Sequence, residues 1–271
     1  MAENELPDIG LGTSRNTDPE QCIRTVQFAL ENGYEHIDTA QDYDNERYVG
    51  KGIISADVPR EDVFLATKVD PTNLGYEDVL SSTEESLNLL DTEYIDLLYI
   101  HWPTGMYEPE ETLPAFDKLY EDGIIRHIGL SNFTPQLVEE AVNVLEAPVF
   151  ALQNEFHPYL QQVELRKFAI DNGYRFIGYS PLLKGKFKEI EEVIGVSNKY
   201  DATPAQVVLA WAASKDNVYT IPKATGEEHL LQNFEAANIE LDGEDINRID
   251  SIETEERIIW RHDPEFKSPW D

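Results

Sequence analysis

The 271-residue chain carries 53 acidic and 21 basic residues, a formal net charge of −32, so we expect it to repel nucleic acids and anionic membranes. No apolar run approaches the roughly 18 residues of a membrane helix, the acidic N-terminus MAENELPD does not resemble a secretory signal, and the single Cys22 excludes an internal disulfide. Hydrophobic residues form 41% of the chain, which favours a folded core over disorder. We therefore expect a folded cytoplasmic protein from a salt-adapted (halophilic) source, because concentrated salt screens self-repulsion.

Short apolar segments alternate with amphipathic ones along the chain. The apolar segments are rich in β-branched and aromatic residues, and they predict strands at 7–13, 34–40, 63–69, 94–102, 125–132, 150–156, 174–182 and 218–224. The amphipathic segments predict helices at 19–32, 44–54, 76–90, 109–122, 135–145, 161–172, 204–214 and 227–236, with an additional helical piece at 186–200. This alternation is typical of a parallel sheet covered by helices.

Eight strand–helix units predict an α/β fold, a (β/α)8 TIM barrel that forms a single domain over residues 1–271. Proline follows a capping residue at Asp18, Thr134 and Thr203, which supports the predicted helix starts. An open, doubly wound sheet is the alternative. It is weakened because no GxGxxG sequence follows an early strand.

Polar residues stand in or just after most of the predicted strands, and a barrel brings the C-terminal strand ends together. They are Asp38, Tyr43, Lys68, His101, Ser131, Asn132, Gln153, Glu155, Tyr179 and Lys223. Each one alone has an ordinary structural interpretation, such as a turn cap, a rim aromatic, a solvated charge or a satisfied buried histidine. Polar groups inside apolar strands are costly unless paired, so their convergence at one end favours a functional site.

Eight motifs occur in a specific order: GLGT (10–13), IDTAQDYDNERYVG (37–50), ATK (66–68), IHWP (100–103), IGLSNF (128–133), QNEFHPY (153–159), GYSPL (178–182) and IPKAT (221–225). Through them the chain resembles the aldo-keto reductases along nearly its whole length. The resemblance implies an oxidoreductase that reduces an aldehyde or ketone reversibly with NAD(P)H. It also implies four catalytic residues: Asp38, Tyr43, Lys68 and His101.

The implied roles agree with the chemistry of carbonyl reduction. Hydride addition leaves charge on oxygen, so an acid must protonate it, and the resemblance assigns Tyr43 as this general acid. A free tyrosine has a pKa near 10. Lys68, held by Asp38, is expected to lower that value, and His101 is expected to donate a second hydrogen bond to the carbonyl oxygen.

The resemblance also implies a nicotinamide cofactor site. Ser131, Asn132 and Gln153 are expected to hold the carboxamide, Tyr179 to stack on the nicotinamide ring, and Lys223 to face the adenosine phosphate. The remaining implied cofactor-binding residues are Gly12, Thr13, Ser180, Leu182, Ala224, Thr225, His229 and Asn233. His229 stands where NADPH-preferring members carry arginine, so we expect a moderate NADPH preference with NADH also usable.

Three features depart from the family pattern or lie outside it. Ser14 replaces the usual aromatic of the substrate pocket, which it is expected to line with Trp102, and this makes the pocket wider or more polar. Leu152 replaces the asparagine usually found before Gln153, a change of little consequence. Three lysines in five residues, Lys184, Lys186 and Lys188, follow the seventh strand, where we expect them to attract the cofactor's pyrophosphate; a solvated loop is the alternative.

Two other functions stay open. A non-catalytic regulatory subunit could bind nicotinamide nucleotide on the same barrel, and a steady-state assay would separate the two. An aldolase could use Lys68 as a Schiff base, although a lysine charged beside Asp38 is a poor nucleophile. The sequence predicts no metal site, a small-molecule carbonyl substrate, and a monomer or weak homo-oligomer, and it leaves the substrate unnamed.

Overall fold

A computed structural model of the protein describes residues 6–259 and residue 270. Eight strands form one parallel sheet in chain order: β1 Leu11–Gly12, β2 His36–Asp38, β3 Phe64–Val69, β4 Ile95–Ile100, β5 Ile125–Ser131, β6 Val149–Glu155, β7 Arg175–Tyr179 and β8 Val218–Thr220. Every neighbouring pair is parallel. This sequential order is not that of the doubly wound alternative, so that interpretation is wrong.

The last strand also bonds to the segment that precedes β1. Ile9 pairs in parallel with Thr220. The Thr220 amide donates to the Asp8 carbonyl across 2.8 Å, and the Gly10 amide donates to the Thr220 carbonyl across 2.8 Å. Backbone hydrogen bonds therefore link the two ends of the sheet, an arrangement consistent with a (β/α)8 barrel.

Ten helices lie within the described residues: α1 Pro19–Glu31, α2 Glu46–Ser55, α3 Tyr76–Leu90, α4 Pro109–Glu121, α5 Pro135–Val142, α6 Val163–Asn172, α7 Glu191–Tyr200, α8 Pro204–Ala213, α9 Glu227–Glu235 and α10 Gly243–Asp250. The predicted caps are present, because the side chains of Asp18, Thr134 and Thr203 each accept a bond from a first-turn amide. No described helix has both the length and the apolar character needed to span a bilayer.

Two helical segments differ from the prediction. Residues 183–189 form 3₁₀ turns, broken where Lys184 and Gly185 adopt positive φ values of 50° and 99°, so the helix predicted over 186–200 begins only at Glu191. Helix α10 was missed because its sequence is mostly polar. It nevertheless buries Ile249 and Asp245 on one face.

Hydrophobic side chains fill the space enclosed by the strands and also pack between strands and helices. The inner cluster contains strand residues such as Ala66, Tyr99 and Ala151 and no helix residue. Tyr99 occupies so much of this space that a Cβ at Gly129 would lie 2.3 Å from its ring, which explains the glycine. Because strand side chains alternate, residues two positions after Ala66 and Ala151 point to the same interior.

Candidate active site

The floor of the site is a buried ion pair. Lys68 lies two residues after Ala66 on β3, and its Nζ donates to Oδ1 of Asp38, at the end of β2, across 2.5 Å. Nζ also donates to the Thr39 carbonyl across 2.7 Å, and Gln153 Nε2 donates to the other Asp38 oxygen across 2.8 Å. Both charged side chains are at most 2% exposed. Pairing and hydrogen bonding together offset the cost of burying them.

Tyr43 ends a 3₁₀ turn, Gln41–Tyr43, that begins three residues after Asp38. Asn45 holds this turn in place, because its side chain accepts from Thr39 Oγ1 and donates to the Thr13 carbonyl. Glu46 is buried and accepts from Thr67 Oγ1 across 2.6 Å. No role was predicted for Asn45 or Glu46 from the sequence. Their hydrogen bonds explain why polar residues follow the turn that carries Tyr43.

The pKa of Tyr43 shifts in the direction opposite to our expectation. Burial raises this pKa well above its usual value near 10, the negative charges of Asp38 and Asp42 raise it further, and a hydrogen bond with Ser14 opposes them. Lys68 does not outweigh these effects, because Asp38 offsets much of its charge and Nζ lies 5.3 Å from the centroid of the Tyr43 ring. The phenol therefore stays protonated at neutral pH, which is the form a proton donor requires.

His101 faces Tyr43 from the loop after β4. Their rings meet edge to face with centroids 5.8 Å apart. The other side of the imidazole faces Asp42, with Nδ1 and Oδ1 3.3 Å apart. Asn132 Nδ2 donates to the His101 carbonyl across 2.9 Å and so fixes the position of this loop. Tyr43 and His101 thus present two polar groups to one space, as the sequence predicted.

A second polar network follows β5 and β7. Asn132 has a left-handed backbone with φ of 66°, and its side-chain Nδ2 donates to Ser131 Oγ across 3.1 Å. The Tyr179 hydroxyl donates to the Asn132 carboxamide oxygen across 2.7 Å. These bonds hold the Tyr179 ring at the wall of the site and leave it partly exposed.

A cavity of about 1130 Å³ opens at the C-terminal ends of the strands. Its lining includes seventeen of the nineteen residues predicted for the site: Asp38, Tyr43, His101, Ser14, Trp102, Gly12, Ser131, Asn132, Gln153, Tyr179, Ser180, Leu182, Lys223, Ala224, Thr225, His229 and Asn233. The other two residues do not line the cavity. Lys68 is buried in the ion pair with Asp38, and Thr13 donates to the Asp38 carbonyl from both its amide and its hydroxyl.

The three lysines after β7 do not act alike. Lys184 and Lys188 line the cavity, whereas Lys186 does not. Lys186 Nζ instead contacts Glu256 Oε1 at 2.5 Å, and Lys184 Nζ donates to the Ile258 carbonyl across 3.1 Å. This loop is therefore tied to the C-terminal segment, a connection that the sequence did not predict.

Glu155, on the sheet, also binds the C-terminal segment by hydrogen bonds. It ends β6, is fully buried, and accepts backbone hydrogen bonds from Ile258 across 2.7 Å and Ile259 across 3.0 Å. His157 Nε2 lies 2.8 Å from the same carboxylate. Because Ile259 lines the cavity, Glu155 positions part of its wall. This role could have been suspected from the sequence, because a carboxylate stands inside an apolar strand, two residues before a histidine. Beyond Ile259 only residue 270 belongs to the described residues.

Comparison with known proteins gives consistent results. The model of the aldo/keto reductase family matches residues 8–254. The chain is 38% identical to glyoxal reductase of Bacillus subtilis, covering 94% of this chain and 91% of that protein. It is 39% identical to methylglyoxal reductase of Escherichia coli O157:H7, covering 98% and 99%. The crystal structure of a Bombyx mori aldo-keto reductase in complex with NADP superposes with a TM-score of 0.84 at 27% identity, covering 91% and 89%.

Proposed function

The chain belongs to the aldo/keto reductase family and is an oxidoreductase that reduces carbonyl compounds with NAD(P)H; from this premise we propose that Tyr43 is its proton donor. The observation that carries the assignment is the placement of a protonated phenol above the buried Lys68–Asp38 pair. The same strand-end arrangement supports a closed (β/α)8 barrel of one domain. Neither the geometry nor the relatives favour a non-catalytic subunit.

The cavity suits a nicotinamide dinucleotide. Its volume of about 1130 Å³ exceeds the roughly 300–1,000 Å³ typical of small-ligand pockets, which leaves room for a cofactor together with a substrate. Lys184, Lys188 and Lys223 line it on the loops after β7 and β8, where this fold commonly binds phosphate. Ser131 and Asn132 present polar groups near Tyr179, so these three residues would hold the nicotinamide end.

Each of the four catalytic residues then has a separate role in the reaction. When bound, the cofactor supplies the hydride that adds to the carbonyl carbon. Tyr43 gives its proton to the carbonyl oxygen, so the carbonyl becomes an alcohol and the phenol becomes a phenolate, which solvent reprotonates. His101 orients the same oxygen by hydrogen bonding. Lys68 stabilises the phenolate that forms, and Asp38 holds Lys68 in place.

The cofactor preference and the environment are further proposals. Lys223 and His229 are both exposed at the cavity. Lys223 would offer a 2′-phosphate a full positive charge and His229 a weaker interaction than arginine, which favours NADPH moderately. The net charge of −32 supports a halophilic source. A reductase that consumes NAD(P)H needs a compartment that regenerates it, which supports a cytoplasmic location.

The test is a steady-state assay of the purified protein in molar KCl with NADPH and with NADH. A panel of aldehydes, ketones, keto acids and sugars supplies the carbonyl, and the alcohol product is identified by mass spectrometry. We expect cofactor oxidation matched by alcohol formation. Tight cofactor binding without turnover on any carbonyl would favour the regulatory alternative.

A further inference from the structure

Glu46 is a buried carboxylate that is not part of the cavity lining. It begins α2, three residues after Tyr43, and is 4% exposed. Thr67 Oγ1 donates to its Oε1 across 2.6 Å, and Ser86 Oγ, on α3, donates to its Oε2 across 3.1 Å. Both carboxylate oxygens therefore accept hydrogen bonds from hydroxyl groups, and these belong to two other elements of the fold.

Ser86 also connects Glu46 to the turn that carries Tyr43. Gln41 is the first residue of this turn, and its Nε2 donates to Ser86 Oγ across 3.2 Å. The Gln41 Oε1 accepts from the backbone amide of Asp70 across 2.9 Å and from Asn73 Nδ2 across 3.1 Å. The start of the turn is thus hydrogen-bonded to α3 and to the segment that follows β3.

These bonds connect the proton donor to the lysine that stabilises its anion. Thr67 immediately precedes Lys68 on β3. Side chains alternate along a strand, so Thr67 points away from the space that the strands enclose and Lys68 points into it. Glu46 therefore binds the outer side of β3 at the point where Lys68 leaves its inner side. Within the enclosed space, Lys68 Nζ lies 5.3 Å from the centroid of the Tyr43 ring.

We propose that Glu46 is a positioning residue for the proton transfer: it fixes the separation of Tyr43 and Lys68, and so determines how well Lys68 stabilises the phenolate that forms. This inference rests on the proposed function. The energy of a charge interaction falls with distance, and a displacement of about 1 Å in an active site can lower the rate about 10²-fold. A carboxylate suits this position because it accepts two hydrogen bonds at once and begins α2, where a helix favours negative charge.

The experiment uses variants that weaken these hydrogen bonds without changing the cavity lining. Glu46→Ala removes both bonds to the carboxylate, and Ser86→Ala removes one of them. Glu46→Gln keeps both, because its oxygen can accept from Thr67 while its nitrogen donates to Ser86. The matched control is Thr83→Val, since Thr83 lies one turn before Ser86 on α3 and its buried hydroxyl has no hydrogen-bond partner within the described residues.

The measured quantities are kcat for aldehyde reduction in molar KCl, the affinity for NADPH by fluorescence titration, and the circular dichroism of each variant. We expect Glu46→Ala to lower kcat by about tenfold to 10²-fold, and Ser86→Ala by a smaller factor, because Tyr43 and Lys68 are then less well aligned. The affinity for NADPH should not change, since neither Glu46 nor Ser86 lines the cavity. Glu46→Gln should recover most of the lost kcat, and Thr83→Val should turn over normally.

A second measurement separates positioning from a general loss of structure. The same changes are made in Tyr43→Phe, which has no proton donor left to position. Glu46→Ala and Ser86→Ala should then leave the residual kcat unchanged, whereas a merely structural effect would lower it by the same factor as in the wild type. If Glu46→Ala does not fold, Ser86→Ala decides alone.

Three results would overturn this inference and leave the proposed function in place. They are wild-type kcat in the alanine variants, failure of Glu46→Gln to recover activity, and an equal loss in the wild-type and Tyr43→Phe backgrounds. Wild-type kcat in Tyr43→Phe itself would overturn the proposed proton donor and this inference with it.

Discussion

Lys68 donates from Nζ to Oδ1 of Asp38 across 2.5 Å, and the two side chains form a buried ion pair at the floor of the cavity. Breaking such a pair by removing one partner leaves an uncompensated charge, which typically costs about 3–5 kcal/mol. We therefore predict that Lys68→Met loses stability on this scale, although Gln153 still donates to Asp38.

The second partner provides the control for this prediction. In the Lys68→Met/Asp38→Asn double variant neither partner of the pair leaves a buried charge, so this variant should recover a large part of the lost unfolding free energy while staying inactive. Denaturant unfolding in molar KCl gives both values. Equal stability of the single and double variants would show that the loss does not come from an uncompensated Asp38 charge.

Acid should destabilise the fold through His36. Burial lowers the pKa of this histidine to about 4, and neither ring nitrogen has a hydrogen-bond partner within the described residues. The unfolded chain protonates near its ordinary value of 6.5, so it binds more protons than the folded chain between about pH 6.5 and pH 4. Stability is complete above about pH 6.5 and is lost as pH falls towards 4.

The variant His36→Leu isolates this effect. The wild type should lose about 2 kcal/mol of unfolding free energy through His36 between about pH 7 and pH 5. His127, whose pKa is also lowered to about 4, should contribute less because it is partly exposed and solvent screens it. His36→Leu removes the first contribution, so the loss of unfolding free energy between the two pH values should shrink by more than half. An identical acid loss in both proteins would rule out His36 as its source.

Cofactor selection should respond to His229 and to Lys223. Replacing His229 by arginine supplies a planar, permanently charged group for a 2′-phosphate, so His229→Arg should tighten NADPH and leave NADH unchanged. Lys223→Gln should have the opposite effect and weaken NADPH more than NADH. Fluorescence titration with both reduced cofactors measures these affinities. A wild type that clearly prefers NADH would refute this assignment.

We expect the two lysines after β7 that line the cavity to contribute to cofactor binding. The size of this contribution should depend on the salt concentration. Lys184→Gln/Lys188→Gln removes two charges from the cavity wall and should weaken cofactor binding, more strongly at the lowest salt where the fold persists, because screening is then least. The exposed Lys51 on α2 offers the control variant Lys51→Gln. Circular dichroism across the same series should show loss of structure in dilute buffer. Equal affinities for all proteins would mark Lys184 and Lys188 as ordinary loop charges, and full stability in dilute buffer would contradict salt adaptation.

The sequence predicted those parts of the fold that depend on local periodicity. Asp38 and Lys68 could be placed on one interior because each ends an apolar strand. The contact of Lys186 with Glu256 could not be predicted, since the two residues stand 70 positions apart and carry no shared local signal. The direction of the Tyr43 pKa was also missed, because it depends on burial by the assembled loops. Residues 221–224 were predicted as strand, but β8 ends at Thr220, and these four residues line the cavity.

The central claim is that Tyr43 donates the proton, and the most direct measurement compares kcat of Tyr43→Phe with that of Tyr48→Phe. Tyr48 lies five residues further along, outside the cavity lining, and loses the same hydroxyl. We predict that Tyr43→Phe lowers kcat for aldehyde reduction by roughly 10²–10⁴-fold or more while cofactor affinity is retained, and that Tyr48→Phe turns over normally. Wild-type kcat in Tyr43→Phe would contradict the account.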